Sequence, residues 1–313
     1  MSLSRQTSPD APTVSGEPAS GTRLPIGSHS AEPGARLKHR RVNAYRLKRW
    51  VCSPRPLLML FGFALFFSFW LVAVDVLGIW RFRYMPGLWE VIVEWTSKKP
   101  KFGISLFTSE YYTHIWFSLR RVLIAFSLSL VLGVPLGLFM GWYHKFKEYT
   151  FPVFEMLRPI PVLAWVPLAI LMFRTEEGPV IYLTFLSAFF ATTLNAYLGV
   201  QSIDRDLIRA AYCLGSKRSD VFRHVVIPGA MPYIFIGLQI AMGVAWFSLV
   251  AGEMVAGRLG LGYLVNSAYT TSRYPTIVIA MFTLGFVGWL SSAFIRLVGN
   301  RLMQYRAQVL SSG

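Results

Sequence analysis

Six apolar runs constrain this chain more strongly than any other feature. Each run is long enough, at a rise of about 1.5 Å per helical residue, to cross a hydrocarbon core roughly 30 Å thick. Hydrophobic residues make up 54% of the 313 residues, and the mean hydropathy is +0.47. The sequence therefore predicts an all-α integral membrane protein with about six transmembrane helices, at residues 56–80, 114–142, 151–173, 179–199, 233–256 and 276–299.

The basic residues predict the orientation of these spans. The net charge is +16, but lysine and arginine cluster beside the apolar runs and not on a soluble domain, which argues against a nucleic-acid partner. The segments expected inside the cell hold 19 lysines and arginines, and those expected outside hold 8. We therefore expect a multi-pass protein in membrane lipid with both termini in the cytoplasm.

Composition divides the chain into five segments. Residues 1–35 are rich in Ser, Pro, Ala and Gly without apolar periodicity, so we expect a disordered tail. The others are a basic juxtamembrane segment at 36–55, a first span and periplasmic segment at 56–112, a core domain at 113–302 and a cytoplasmic tail at 303–313.

The polar stretch 203–232 separates the fourth and fifth apolar runs. Apolar residues at helical spacing predict a short amphipathic helix, and Gly215 follows the last of them, where a left-handed C-cap favours glycine. Ser216 is a candidate N-cap for a second short helix that ends near Val225. Pro228 and Pro232 lack backbone donors, so we expect the chain to turn there before it re-enters the membrane.

The spacing within this stretch resembles the cytoplasmic signature of permease subunits of bacterial ABC importers. Two alanines, a glycine and a V-x-I-P sequence carry the resemblance. The resemblance implies a coupling helix that docks on an ATPase subunit. The implied coupling residues are Arg209, Ala210, Ala211, Leu214, Gly215, Val225, Ile227 and Pro228. The family usually has an acidic residue where this chain has Arg209. The alternative is an ordinary positively charged cytoplasmic loop.

Longer blocks resemble the nitrate, taurine, alkanesulfonate and bicarbonate group of these permeases. The blocks are S-L-R-R-V-L-I-A-F, G-V-P-L-G, R-P-I-P-V-L-A-W-V-P-L-A-I, P-G-A-M-P-Y-I and W-F-S-L-V-A-G-E-M-V-A-G-R-L-G-L-G-Y-L. The resemblance implies a type I importer permease fold in the bacterial inner membrane and import of a small oxyanion. It also implies a homodimer, two ATP-binding cassette subunits and a periplasmic solute-binding protein. Two alternatives stay open, namely a permease for a thiamine precursor or other small heterocycle, and a membrane scaffold that moves no solute.

Several residues at membrane depth are candidates for the translocation pathway. Four prolines make a straight third span impossible, and irregular backbone at that depth favours a segment that borders a cavity. The pathway candidates are Pro161, Trp165, Asn195, Trp246 and Glu253. For the tryptophans packing between helices is the alternative, and for Glu253 it is a position facing water near the outer interface.

Three further charged residues are expected to play local roles. Arg120 and Arg121 are expected to extend to the outer interface, and Arg158 is expected to pair with Glu155 on one helical face.

No pattern in the sequence predicts catalysis. The chain has no G-x-x-x-x-G-K-[ST] loop, its five histidines lack metal-ligand spacing, and no nucleophile triad stands out. We therefore expect a permease subunit that is not an enzyme and holds no metal or cofactor, with ATP and Mg²⁺ bound by a partner ATPase.

Overall fold

A computed structural model describes residues 54–76 and 84–310, which contain helices and connecting segments but no strand. The chain divides into two compact units, 1–66 and 67–313. The predicted tail 1–35 and the basic segment up to residue 53 lie outside the described residues, so those predictions stay untested.

Eleven helices are described in these ranges. They are α1 (Pro54–Leu71), α2 (Leu88–Thr96), α3 (Ser109–Trp142), α4 (His144–Leu157), α5 (Val166–Met172), α6 (Glu177–Gln201), α7 (Arg205–Cys213), α8 (Arg218–Val221), α9 (Ile227–Ala256), α10 (Leu261–Thr270) and α11 (Tyr274–Leu310). A 3₁₀ turn precedes α5, and π turns follow α1 and α8.

Four helices are long and apolar enough to span a membrane: Ser109–Trp142, Glu177–Gln201, Arg218–Ala256 and Tyr274–Leu302. They confirm the predicted spans 114–142, 179–199, 233–256 and 276–299. The first predicted span contains a shorter apolar helix, Leu60–Val74, and its end falls in 77–83, outside the described residues.

The third predicted span is a pair of helices, His144–Leu157 and Val162–Met172, bent by 90° at the break between them. Pro159 and Pro161 lie in the break, so the prediction that no straight helix forms here is confirmed. A cytoplasmic loop is predicted at 143–149, between the second and third predicted spans, but this prediction is wrong because the helix α4 covers most of the segment. Tyr143 caps α3, and α4 begins at once with a contact of 3.2 Å between His144 and Glu148, one turn apart.

Glycines on α3 allow α6 to pack unusually close to it. A Cβ atom on Gly137 would lie 2.3 Å from the Thr193 carbonyl oxygen, and one on Gly141 would lie 2.5 Å from the Val200 side chain. From sequence, Gly133, Pro135, Gly137 and Gly141 are expected to interrupt this span, yet α3 continues through them. They are packing positions of the small-residue type found between membrane helices.

The helix α6 lies between α3 and α9, and the main hydrophobic core is formed where the three meet. This core includes Leu138 of α3, Val200 of α6, and Leu238 and Leu249 of α9. Gly237 of α9 approaches Asn195 so closely that its Cβ would lie 2.4 Å from that side chain. A second core holds α2 against α10 and α11 around Val91, Leu264 and Ile279, with others.

The two prolines at the end of the polar stretch do not turn the chain. Residues 222–226 form a π turn that joins α8 to α9 without a break, and Pro228 lies in the first turn of α9. A proline is tolerated in a first turn, and a π turn changes the hydrogen-bond register just before it. Pro232 is inside α9, so the predicted turn at Pro228 and Pro232 is wrong.

Candidate functional site: an exposed bend, a buried charge cluster and a cleft

The exposed bend, residues 203–217, joins the long helices α6 and α9. Asp204 is the N-cap of α7, and its carboxylate accepts a hydrogen bond of 2.9 Å from the Asp206 N–H. Gly215 ends the turn with φ of +81°, and its N–H donates to the Tyr212 carbonyl at 2.9 Å. The predicted glycine cap at the end of the first short helix is confirmed. Lys217 and not Ser216 is the N-cap of the next helix, and the prediction that this helix ends near Val225 is wrong, because it continues into α9.

The apolar side of α7 has no partner among the described residues. Leu214 is 86% exposed and Leu207 is 60% exposed. Large apolar side chains seldom lie together in an exposed patch on a soluble surface. Ala210 is exposed and Ala211 half-buried beside them. Arg209 forms an ion pair of 3.1 Å with Asp206 on the same helix.

The remaining predicted coupling residues lie on the continuous helix that leaves the bend. Val225 is in the π turn, Ile227 and Pro228 are the first residues of α9, and all three are half-buried. The predicted coupling residues therefore lie in two places, namely the exposed bend and the half-buried start of α9.

A buried charge cluster joins α3, α6 and α9. Arg121 of α3 is 1% exposed, and its guanidinium donates to both the Glu177 carboxylate on α6 and, at 2.8 Å, the Glu253 carboxylate on α9. Arg120 lies 3.7 Å from Glu177 at the edge of the cluster. The prediction that Arg121 extends to the outer interface is therefore wrong, and its charge is neutralised inside the protein.

Glu253 has both its carboxylate oxygens satisfied and no exposed surface. It accepts hydrogen bonds of 2.8 Å from the Ser118 hydroxyl and from the Gly262 N–H, besides the one from Arg121. Gly260 packs against this carboxylate with φ of +124°, and a Cβ there would lie 2.3 Å from the Glu253 carboxyl carbon. The alternative that Glu253 faces water is wrong.

His114 closes the cluster on one side, because its Nδ1 accepts a hydrogen bond of 3.0 Å from the Gly260 N–H. The connection between α9 and α10 is thus held to α3 by His114, Ser118 and Arg121, the last of which donates to the Leu259 carbonyl. The spacing of these three side chains, at 114, 118 and 121 on one helical face, is the signal that sequence reasoning missed.

A cleft of about 610 Å³ opens between the α4–α5 bend, α6 and α9. Its walls are mostly apolar, and among the predicted pathway residues Pro161 and Asn195 line it. Trp165 packs with Val166, Ala169 and Leu183, and Trp246 is 7% exposed in the main core. Glu253 follows the lining residue Gly252 but its side chain belongs to the charge cluster.

One charged side chain lines the cleft, and sequence reasoning assigned it elsewhere. Arg158 lies at the bend and faces the cleft, together with Ser187, Asn195 and Ser248 as the polar residues. The predicted pair between Arg158 and Glu155 is not formed, and in the described part of the chain the Arg158 side chain has neither an ion pair nor a hydrogen bond. Proline at 159 ends the helix immediately after Arg158 and turns the chain away.

The chain is similar to several permeases. It is 38% identical over 192 residues to a probable ABC transporter permease of Brucella abortus, covering 61% of this chain and 77% of that protein. It is 35% identical to the nitrate import permease NrtB of Synechocystis, covering 58% and 66% respectively. It is 29% identical over 274 residues to the taurine transport system permease TauC of Escherichia coli, covering 87% and 98%.

The fold is also found in a solved structure. A chain of the methionine ABC transporter MetNI, in an inward-facing conformation, matches with a TM-score of 0.52 and 18% identity over 61% of this chain and 93% of that one. This likeness confirms the predicted all-α fold of ABC importer permeases. Residues 133–305, more than half of the sequence, match a family model, and the chain belongs to that family, the inner membrane components of binding-protein-dependent transport systems.

Proposed function

We propose that this chain is the membrane subunit of an ATP-driven importer that carries small anions into the cytoplasm, with nitrate, bicarbonate, taurine and other sulfonates as the candidate solutes. Membership of the permease family and the names of the relatives support this proposal. Two copies of the chain would form the pathway, two ATP-binding cassette subunits would bind ATP and Mg²⁺, and a periplasmic binding protein would deliver the solute. Both termini would lie in the cytoplasm.

The observation that carries the coupling role is the exposed apolar side of α7 next to the positive-φ glycine. Leu207 and Leu214 are more exposed than large apolar side chains that lie together usually are on a protein without a partner. A groove on an ATP-binding subunit would cover both side chains. The bend is joined to α9 by a helix without a break, so movement of the bend would be passed to the cleft wall. Arg209 would face an acidic residue of the partner, since its own pair with Asp206 is exposed.

The test is binding-protein-stimulated ATP hydrolysis by the assembled transporter in proteoliposomes. The variant Gly215→Pro should abolish the stimulation, because proline cannot adopt φ of +81° and removes the N–H that donates to Tyr212. The matched variant Gly215→Asn should retain most of it, because asparagine tolerates left-handed backbone.

Both variants should assemble with the ATP-binding subunit, which co-purification checks. Full stimulation and uptake by Gly215→Pro would contradict the coupling role and would favour a scaffold that moves no solute. Uptake of a heterocycle, with no uptake of nitrate, bicarbonate or taurine, would retain the permease and change its solute.

A further inference from the structure

Arg158 follows a helix end that packs beside the middle of α6, a helix long and apolar enough to span a membrane. The rings of Phe154 and Phe190 are 5.3 Å apart, which places the end of α4 against the middle of α6, and Arg158 is one turn beyond Phe154. It lines the cleft together with Ser187, which is about 21 Å from the Gln201 end of α6 and about 15 Å from the Glu177 end at 1.5 Å per residue.

The exposed side chain of Arg158 forms no ion pair with any described residue. A charged group at this depth is costly and is normally paired or placed in a water-filled cavity. Glu155 does not line the cleft. Glu253 directly follows the lining residue Gly252, but its carboxylate is already paired with Arg121. The cleft wall therefore carries one positive charge, three polar side chains and no acidic residue among the described residues.

We propose that Arg158 sets the charge selectivity of the cleft, attracting anions to the middle of the span and rejecting cations. A single cation in a channel with low-dielectric walls raises the local concentration of anions strongly, since field lines are focused there. Arg158 also offers a planar fork of donors that matches a carboxylate, sulfonate or nitrate group. This inference rests on the proposed function in one respect, namely that solute passes along the cleft.

The direct test measures the charge in the cleft without requiring transport. Cys52 and Cys213 are replaced by serine, and Ser187→Cys places one thiol in the cleft of the complete, assembled transporter. The rates of modification by an anionic and a cationic methanethiosulfonate reagent of similar size are then compared. In this background the anionic reagent should be favoured.

Three variants at arginine positions decide the outcome. Arg158→Gln should lower the anionic-to-cationic rate ratio by about tenfold, because one unit charge acts with opposite sign on the two reagents. Arg158→Lys should preserve the ratio. Arg174→Gln, which removes an exposed arginine outside the cleft, should also leave it unchanged.

An unchanged ratio for Arg158→Gln would overturn the inference, since it would mean that the charge is neutralised in the assembly. Failure of the Ser187→Cys thiol to react with either reagent would overturn it as well, because no water-filled route would reach Arg158. Size-exclusion profiles and co-purification of the ATP-binding subunit establish that each variant is assembled.

An uptake assay tests the solute class separately. The solutes are nitrate, bicarbonate and taurine, with thiamine as a cationic heterocycle for comparison. Arg158→Gln should reduce uptake of the transported anion by about tenfold relative to Arg158→Lys. Undiminished anion uptake, or a loss of thiamine uptake equal to the loss of anion uptake, would refute the selectivity role. Failure of Gly215→Pro to uncouple ATP hydrolysis would refute the proposed function while leaving the labelling result intact.

Discussion

Removing both members of the buried pair Arg121–Glu253 should cost less than the sum of the costs of removing each one alone. In Glu253→Leu the guanidinium of Arg121, 1% exposed, keeps only Glu177 as a carboxylate partner. Breaking a buried ion pair in this way costs about 3–5 kcal/mol, because an uncompensated charge remains inside the protein. Arg121→Met should cost a similar amount, since it leaves the fully buried Glu253 carboxylate without a cation.

The double variant Arg121→Met, Glu253→Leu should cost less than the sum. It removes both charges and replaces them with apolar groups of similar size, which is often close to neutral. The Ser118 hydroxyl and the Gly262 N–H lose their acceptor, at about 1–3 kcal/mol for each group left unsatisfied. Glu177 stays solvated and 3.7 Å from Arg120. We therefore expect a coupling free energy of about 2 kcal/mol or more.

The assay is thermal unfolding of the detergent-solubilised chain at one scan rate, followed by the fluorescence of its 10 tryptophans. Each single variant should lower the apparent Tm by about 10 °C. Glu176→Gln is the matched control, because Glu176 forms an exposed pair of 2.9 Å with Arg258 and should shift stability by less than about 1 kcal/mol. Additive effects of the two single substitutions would refute the reasoning that the charges compensate each other.

Two predictions concern glycines and use the same unfolding assay. Gly137→Ala should lower stability by about 1–3 kcal/mol, because the new Cβ would meet the Thr193 carbonyl oxygen at 2.3 Å and push α3 away from α6. Gly243→Ala is the control and should be neutral or stabilising, because no atom lies within 4 Å of the new Cβ. Equal effects of the two substitutions would count against close packing as the cause. Gly260→Ala should lower stability more than Gly103→Ala, although both glycines have positive φ. A Cβ at Gly260 would lie 2.3 Å from the buried Glu253 carboxyl group, whereas the nearest atom to a Cβ at Gly103 is 3.9 Å away. A similar loss of stability at both sites would show that backbone strain alone matters.

The apolar runs were sufficient to predict four of the spans, although the helix at 233–256 begins earlier, at Ile227. The prolines were a less consistent guide, because those at 159 and 161 predicted the break in the third span but those at 228 and 232 do not turn the chain. Gly215 was also identified correctly, because only its backbone conformation mattered and local sequence determines that. These features depend on residues that are adjacent in sequence, so the sequence alone is enough to predict them.

The charge cluster was not predictable in the same way. The helix α3 begins at Ser109, five residues before the predicted start, which places Arg121 about 18 Å inside it and not in its first turns. Glu253 is its partner from 132 residues away, so no local pattern links them. Arg158 and Glu155 show the reverse error, because a favourable three-residue spacing permits a pair but does not impose one.

The π turn at 222–226 has a mechanical consequence. Because it does not interrupt the helix, residues from Arg218 to Ala256 form one rod of 39 residues, about 58 Å long. The rod starts beside the exposed bend and ends just beyond Glu253, passing the cleft at Gly252 on the way. A tilt of only about 10° about either end would displace the other by about 10 Å, as a lever arm does. In the proposed transporter, the exposed bend and the region around Glu253 would thus be joined by one continuous helix.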